Sequence, residues 1–313
     1  MIQIKENEPL KNHSTFHIGG PAKYFVVAKS SDDISEALTW AKDNNIIFKV
    51  IGGGSNILFS DNGFDGLVIK YFGGEIKLDG EIIKVGAGVL LAQAINFALD
   101  HNLLGLEWAV GIPGTIGGAV HNNSGAYGGE IADSVISVEV LTDGMTKKIS
   151  QGDCDFSYRE SRFKKESSQD IILSADLQLK TVSEEELAGA KEKMQANQND
   201  RDSKSAEGGS AGSTFRNIIL SKEGAVKFKE KFPEFPDKFV QYQKVPAAWL
   251  IEQCDLKGRK IGGAMVSQKH AGKITNVGEA TAEDVIMLIS IIKQKVRTKF
   301  NLQLMEEIEY VGF

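Results

Sequence analysis

Residues 105–129 read GLEWAVGIPGTIGGAVHNNSGAYGG. Eight of these twenty-five positions are glycine, and each glycine inside a helix costs about 0.5 to 1 kcal/mol relative to alanine, so the composition argues against a core helix. Nor is it that of a linker, because Trp108, Val110, Ile112, Ile116, Val120 and Tyr127 interleave apolar side chains that a solvated connector does not carry. Glycine in such company lets the backbone approach a ligand closely and aim consecutive N–H groups at it. The functional reading is a cofactor cradle. A glycine-rich turn structure inside a β domain has the same composition.

Moving toward the N-terminus, Ile46 to Ile51 is an apolar, β-branched run that stops at Gly52-Gly53-Gly54-Ser55-Asn56. Gly52-x-Gly54 after a strand opens the dinucleotide fingerprint, but Ile57 stands at the third glycine position. Asp61-Asn62-Gly63-Phe64-Asp65-Gly66 then breaks the chain where the phosphate-holding helix belongs. Gly52 to Asn56 is therefore read as a loop that holds a diphosphate on its amides and the Ser55 hydroxyl with no helix behind it. Together the two glycine loops suggest one phosphate-bearing cofactor gripped from two parts of the chain.

The remaining pattern alternates both periods. Strands are expected at Lys23–Ala28, Leu67–Lys70, Glu75–Leu78, Glu81–Val85 and Ile171–Leu179. Val135–Leu141 and Met145–Ile149 form a hairpin on Thr142-Asp143-Gly144. A helix capped by Ser31 and Asp32 carries Ile34, Ala37, Leu38 and Ala41, and others are expected at Leu91–His101, Glu184–Asn199, Pro246–Cys254 and Glu283–Phe300. The charged run Asp200–Gly212 marks a domain boundary, and Leu304–Phe313 reads as an edge strand.

With 313 residues the chain is long enough for two or three domains, and 36 basic against 42 acidic residues give a net charge of −6. That balance argues against a nucleic-acid groove or an anionic membrane surface, and favours a small-molecule ligand. Two cysteines a hundred residues apart suit a reduced cytoplasmic protein and exclude a disulfide scaffold or a cysteine-based zinc site. The five histidines, 13, 17, 101, 121 and 270, show no metal-ligand spacing. Met1–Leu10 is charged and lacks an apolar core, so no secretory leader is expected. Tyr158-Arg159-Glu160-Ser161-Arg162 is dense in polar groups but by itself reads as a solvated turn. Ser213 sits in a flexible Gly- and Ser-rich stretch that is no nucleophile elbow. On the terminal strand, alternation puts Glu307 and Glu309 on one face and Glu306 on the other, with surface charge the default.

Seven segments, in order, resemble the UDP-N-acetylenolpyruvoylglucosamine reductases, the flavoenzymes called MurB. They are Thr15-Phe16-His17-Ile18-Gly19-Gly20-Pro21-Ala22, Gly52-Gly53-Gly54-Ser55-Asn56, residues 111–119 (GIPGTIGGA), residues 123–128 (NSGAYG), Tyr158-Arg159-x-Ser161, Gly212-Ser213-x-Phe215-x-Asn217 and Gly262-Gly263-Ala264. The resemblance covers nearly the whole chain. It implies an α+β protein with an FAD-binding domain of the vanillyl-alcohol-oxidase (PCMH) type in two subdomains, residues 1–72 and 73–199. A C-terminal α+β substrate domain, 200–300, and a terminal strand, 301–313, would follow. No tyrosine-bearing insertion is present, which points to the shorter subclass.

What the resemblance implies chemically is non-covalent FAD reduced by NADPH, with flavin N5 then delivering hydride to the methylene carbon of an enolpyruvyl ether on a nucleotide sugar. Gly52, Gly53, Gly54, Ser55 and Asn56 would bind the pyrophosphate. Gly111, Gly114, Thr115, Gly117, Asn123 and Gly125 would line the rest of the cofactor, and Arg201 would lie near the flavin. Arg159 would stabilise the enolate-like charge, Ser213 would protonate the carbanion, and Glu307 would stand beside that carbon. Tyr158, Lys204 and Asn217 would contact substrate. No metal, nucleic acid or membrane is implied, and a cytoplasmic monomer is expected. His17, Ser124, Ser267 and Gly272 depart from the residues usual in the family. An FAD oxidase or dehydrogenase of the same fold is the alternative within enzymes, and a flavin-free nucleotide-sugar binding module the alternative outside them.

Overall fold

The computed structural model describes residues 2–165 and 168–313. The chain divides into two compact units, each built from separated stretches and each with its own apolar core. Unit 1 holds residues 2–8, Pro21–Gly54 and Phe64–Ser203; unit 2 holds Pro9–Gly20, Ser55–Gly63 and Lys204–Phe313.

In unit 1 one sheet runs Lys5–Pro9, Pro21–Ala28, Phe64–Tyr71, Phe48–Ile51, and its last three strands are parallel. Helix α1 (Ser31–Asp43) buries Ile34, Ala37 and Ala41, the i, i+3, i+7 stripe expected of a one-faced helix. Its cap lies one residue earlier than expected. The Ser30 hydroxyl accepts the Asp33 N–H at 3.1 Å and the Asp33 carboxylate accepts the Ser30 N–H at 3.2 Å, so the capping box, not Ser31 or Asp32, sets the start. A second sheet runs Met145–Ser150, Val135–Thr142, Ile171–Gln178, Ile82–Gly86, Ile76–Asp79, antiparallel throughout. Its hairpin turns on Asp143 (φ 51°) and Gly144 (φ 74°), the paired left-handed residues that a two-residue turn demands.

Helix α2 (Leu91–Asp100) is followed by α3 (Ile116–Asn122), which corrects the expectation that the glycine-rich run excludes a core helix. Ile116, Ala119 and Val120 are buried against the strand Ile171–Gln178, and tertiary packing outweighs the poor propensity of Gly117 and Gly118. A side chain at 117 would bring its Cβ 2.9 Å from that of Ala87, so glycine is what lets the helix sit this close. Helix α4 (Glu184–Ser203) runs four residues past its expected end at Asn199. The Tyr127 hydroxyl bonds Asn197 O at 2.9 Å and Asp200 Oδ2 at 3.1 Å, and the Arg201 guanidinium lies over the Tyr127 ring, so a tertiary contact holds the last turn.

Unit 2 contains α5 (Lys222–Lys231), α6 (Asp237–Gln241), α7 (Ala247–Gln253) and α8 (Ala282–Phe300), with a three-stranded sheet of Lys260–Ile261, Ala264–Val266 and Ile274–Asn276. Phe228, Phe232, Phe235, Trp249 and Phe300 pack edge-to-face and tilted, with centroids as close as 4.8 Å. The C-terminal strand is shorter than expected: Glu309–Val311 pairs in parallel with Ile57–Phe59, while Phe215 and Glu306 form an isolated bridge. Leu304, Ile308 and Val311 are buried, a spacing no continuous strand produces. His270 is half-buried in the turn Ser267–Lys273, where its Nδ1 accepts the Gly272 N–H at 3.2 Å. Burial first, then the nearby Lys273 and Lys204, pushes its pKa below the ordinary 6.5.

Two expectations for stability follow from unit 2. Thr281 caps α8 through a box with Asp284, and the Asp61 carboxylate adds bonds to the Ala282 N–H at 3.0 and 2.8 Å. Asp61→Ala should cost about 1 kcal/mol and Asp61→Asn much less, read from the urea midpoint; an unchanged midpoint in the alanine variant would remove Asp61 from the cap. His270 binds its proton less readily folded than unfolded, so its contribution is present above pH 6.5 and is lost as pH falls through the depressed folded value. The urea midpoint of the native chain should therefore fall more steeply between about pH 7 and pH 5 than that of His270→Gln, and parallel curves would contradict this.

Candidate active site

The cradle in unit 1 is made by two glycine segments in direct backbone contact. Strand Phe48–Ile51 delivers Gly52, Gly53 and Gly54, the last buried at φ 68°. A Cβ on Gly52 would collide with Thr115 Oγ1, and one on Gly53 would lie 3.0 Å from Gly114 Cα. Thr115 cannot yield, because it is buried and its hydroxyl caps α3 by accepting the Gly118 N–H at 3.3 Å. Ile116 N–H and Gly117 N–H bond Val89 O and Ala87 O at 2.9 and 2.8 Å, fixing the helix start. Gly111 (φ 70°) completes the rim: a Cβ there would meet Gln198 Oε1 at 2.6 Å and Arg201 Cδ at 2.8 Å. Gly52 and Gly53 thus meet Thr115 and Gly114, Gly117 packs on Ala87, and Gly111 lies against Gln198 and Arg201.

At the other end of α3, Asn123 is fully buried in the left-handed region (φ 42°). Its Nδ2 donates to Ser157 O at 2.9 Å and its Oδ1 accepts the Ala132 N–H at 3.3 Å. Ser157 and Glu160 exchange backbone bonds of 3.1 and 3.0 Å around Tyr158-Arg159, so these two residues form a tight turn with Arg159 at φ 59°. The Arg159 guanidinium bends back so that Nη2 donates to Gly125 O at 2.8 Å. A Cβ on Gly125 would meet Gly129 O at 2.8 Å and Glu130 Cβ at 2.9 Å, so the glycine lets the strand Gly129–Glu130 close on it. Ser161, which sequence reasoning left without a role, is buried and donates to His121 O at 2.7 Å; its membership of the Tyr-Arg-x-Ser motif was the one signal for it.

Unit 2 gathers the other predicted residues. Ser55 and Asn56 continue the first glycine loop into this unit. Ser213 is exposed between Gly212 (φ 74°) and buried Thr214. Thr214 N–H donates to Gly272 O at 2.8 Å, and Thr214 O accepts the Glu307 N–H at 2.8 Å. Asn56 Nδ2 donates to Glu307 O at 3.1 Å. Ser213, Glu307 and Asn56 are thereby held on one backbone scaffold whose centre, Thr214, carried no sequence signal. Glu306 points away to pair with Lys293 at 2.9 Å, which separates it from its neighbour Glu307. Lys204 is exposed and its carbonyl accepts Lys273 Nζ at 2.9 Å, while Asn217 Oδ1 accepts the Ala247 N–H at 3.0 Å and anchors α7. Ser267, a departure from the family pattern, is fully buried and accepts the Lys269 and His270 N–H groups, both at 3.2 Å.

The donor set fits a flavin dinucleotide. Closely approaching glycine backbones at Gly53 and Gly114 beside the Thr115 hydroxyl let a diphosphate reach the main chain, and no cluster of His, Cys, Asp or Glu among the described residues could hold a metal ion.

Comparison with known proteins agrees. Residues 22–150 match the FAD binding domain family, in keeping with the expected FAD-binding fold. Residues 203–311 match the UDP-N-acetylenolpyruvoylglucosamine reductase C-terminal domain. The UDP-N-acetylenolpyruvoylglucosamine reductase of Caldicellulosiruptor bescii is 38% identical over 99% of this chain and 91% of its own. That of Solibacter usitatus is 34% identical over 99% and 97%. The crystal structure of the Thermus caldophilus UDP-N-acetylenolpyruvylglucosamine reductase superposes with a TM-score of 0.76 at 28% identity, covering 100% of this chain and 99% of that one. With matching family models over both parts of the chain and full-length relatives of one kind, the chain belongs to the UDP-N-acetylenolpyruvoylglucosamine reductase family.

Proposed function

We propose that the chain is the reductase for which its family is named, using FAD and NADPH to convert UDP-N-acetylglucosamine enolpyruvate to UDP-N-acetylmuramate for peptidoglycan synthesis. The observation that carries this reading is the presence in one unit of the glycine cradle and a guanidinium whose direction is fixed by carbonyl groups. Bound FAD supplies the two-electron chemistry, accepting hydride from NADPH and returning it to the enolpyruvyl double bond.

The residue roles follow from the charge that this reduction generates. Hydride added to the methylene carbon leaves negative charge on the adjacent carbon and its carboxylate. Arg159 offers that charge a planar cation that is already oriented, and loss of one such donor costs about 3 to 4 kcal/mol. Ser213, exposed on the Thr214 scaffold, gives its hydroxyl proton to the carbon. Serine is a weak acid and needs charged neighbours, and Glu307, tied to the same scaffold, is the partner or relay. Gly52, Gly53, Gly54, Ser55 and Asn56 take the pyrophosphate; Gly111, Gly114, Thr115, Gly117 and Gly125 line the rest, with Arg201 near the flavin. Tyr158, Lys204 and Asn217 take the nucleotide sugar. The two FAD subdomains at 1–72 and 73–199, the substrate domain at 200–300 and the terminal strand at 301–313 are the matching division of labour. Among the described residues no helix is long and apolar enough to cross a membrane. We propose a cytoplasmic monomer with no nucleic-acid partner, in line with the net charge of −6.

Anaerobic absorption spectroscopy tests the reading. NADPH should bleach the flavin, and the colour should return on adding UDP-N-acetylglucosamine enolpyruvate; return only with oxygen would favour an oxidase, and a protein that stays colourless with FAD would favour a binding module. In Ser213→Ala the bleaching should persist while substrate-driven reoxidation slows roughly 100- to 10,000-fold, and unchanged reoxidation would remove Ser213 as the acid. Gly52→Val should lower the thermal midpoint and retain little flavin after gel filtration, because its side chain meets buried Thr115 in the cradle. Full flavin occupancy in that variant would place the diphosphate elsewhere.

A further inference from the structure

We infer that Asn123, expected from sequence to line the cofactor, is instead the positioning residue for Arg159. The inference rests on the role proposed above for Arg159. Neither end of the Asn123 amide is available to a ligand: the side chain is fully buried, its donor is engaged by Ser157 O at 2.9 Å and its acceptor by Ala132 N–H at 3.3 Å. Ser157 is the first residue of the turn that carries Arg159, so the bond fixes that turn's origin.

The turn needs fixing. Arg159 sits at φ 59°, a conformation that a non-glycine residue holds only where its surroundings over-determine it. Those surroundings are the C-terminal end of α3. His121 O accepts the Ser161 hydroxyl at 2.7 Å, Asn122 Oδ1 accepts Lys164 Nζ at 2.8 Å, and the Asn123 amide holds Ser157. The guanidinium returns to the same end, with Nη2 on Gly125 O at 2.8 Å and Nη1 facing Asn123 O at 3.5 Å. A helix C-terminus presents carbonyl oxygens and partial negative charge, which suits a cation folded back on it. Asparagine is the side chain for this position because it tolerates the left-handed conformation and offers a donor and an acceptor on one short stem. Asn123 therefore sets both the backbone origin of Arg159 and, through its own carbonyl, one contact of the guanidinium, without touching substrate.

The test separates the two half-reactions by anaerobic stopped flow: flavin reduction by NADPH, then reoxidation by UDP-N-acetylglucosamine enolpyruvate. Asn123→Asp keeps the acceptor for Ala132 and the backbone conformation but sets an oxygen against Ser157 O. Asn123→Gly keeps the conformation and removes the amide, and covers the case in which the aspartate variant does not fold. Val138→Ala, a buried truncation on the strand Val135–Thr142, paired with Ile149 and Ala175, controls for lost stability, followed by the thermal midpoint. The inference expects reoxidation to slow about tenfold or more in both Asn123 variants, with reduction within about threefold of native, and Val138→Ala to leave the ratio of the two rates unchanged. Equal slowing of both steps, or of neither, overturns it. Arg159→Lys distinguishes the failures. If it slows reoxidation about 100-fold while the Asn123 variants do not, only the positioning inference falls; if it leaves reoxidation intact, the role of Arg159 falls and the inference with it.

Discussion

Unit 1 depends on one steric constraint, the contact of Gly52 and Gly53 with Thr115 and Gly114. Two loops separated by some sixty residues of sequence can meet this closely only because Gly53 and Gly114 carry no side chain and Gly52 leaves room for the Thr115 hydroxyl. Everything nearby is arranged to keep that contact. Thr115 is buried and capped into α3, α3 is clamped to the strand Ile171–Gln178, and Gly117 lets the helix settle against Ala87. The same helix then supplies, at its other end, the carbonyls that hold Arg159. One short helix with poor intrinsic propensity thus links the surface that receives the cofactor to the cation proposed to meet the developing charge.

The cradle and the motifs around it were legible in the sequence because glycine, proline and capping residues act locally. The hairpin at Asp143-Gly144 and the failure of the dinucleotide fingerprint at Ile57 needed no tertiary information, and a strand, Ile57–Phe59, does follow the loop. What the sequence could not yield was decided by distant contacts. Helix α3 looked forbidden because the penalty of its glycines is local while the burial of Ile116, Ala119 and Val120 is not. The start of α1 shifted by one residue because the Ser30–Asp33 exchange is defined by geometry that several nearby Ser and Asp residues could satisfy. Thr214 and Asn123 carried no chemical signature of their roles, since both act through ordinary bonds to backbone groups far along the chain.

Unit 2 was read least well, and its physics explains why. Its strands are two or three residues long and its helices α5 and α6 are brief and charged, so periodicity has little length over which to declare itself. Its order comes from the aromatic cluster around Phe228 and Trp249 and from a buried polar frame at Ser267, Thr214 and Thr275. The departures at Ser267 and Gly272 fall inside that frame. Ser267 ties the turn that contains His270, and Gly272 supplies the carbonyl that receives Thr214. The bond that steadies Thr214, next to Ser213, comes from the Gly272 main chain and so does not depend on the side chain at 272.

The interleaving of the two units along the chain bears on how the protein is made. Phe16, Ile18 and Leu58 belong to the core of unit 2, and the strand Ile57–Phe59 finds its partner only at Glu309–Val311. On a ribosome these early segments emerge able to pair only with each other, as Gly20 N–H does with Ser60 O at 2.9 Å, until the rest of unit 2 has been synthesised. Most of unit 1, by contrast, is complete once Ser203 has left the exit tunnel. Unit 2 must close loops of about 250 residues at the end, a high-contact-order step that is slow and leaves apolar segments exposed meanwhile. Nascent-chain quality control, rather than the finished enzyme, is the setting in which Phe16 and Leu58 are most consequential.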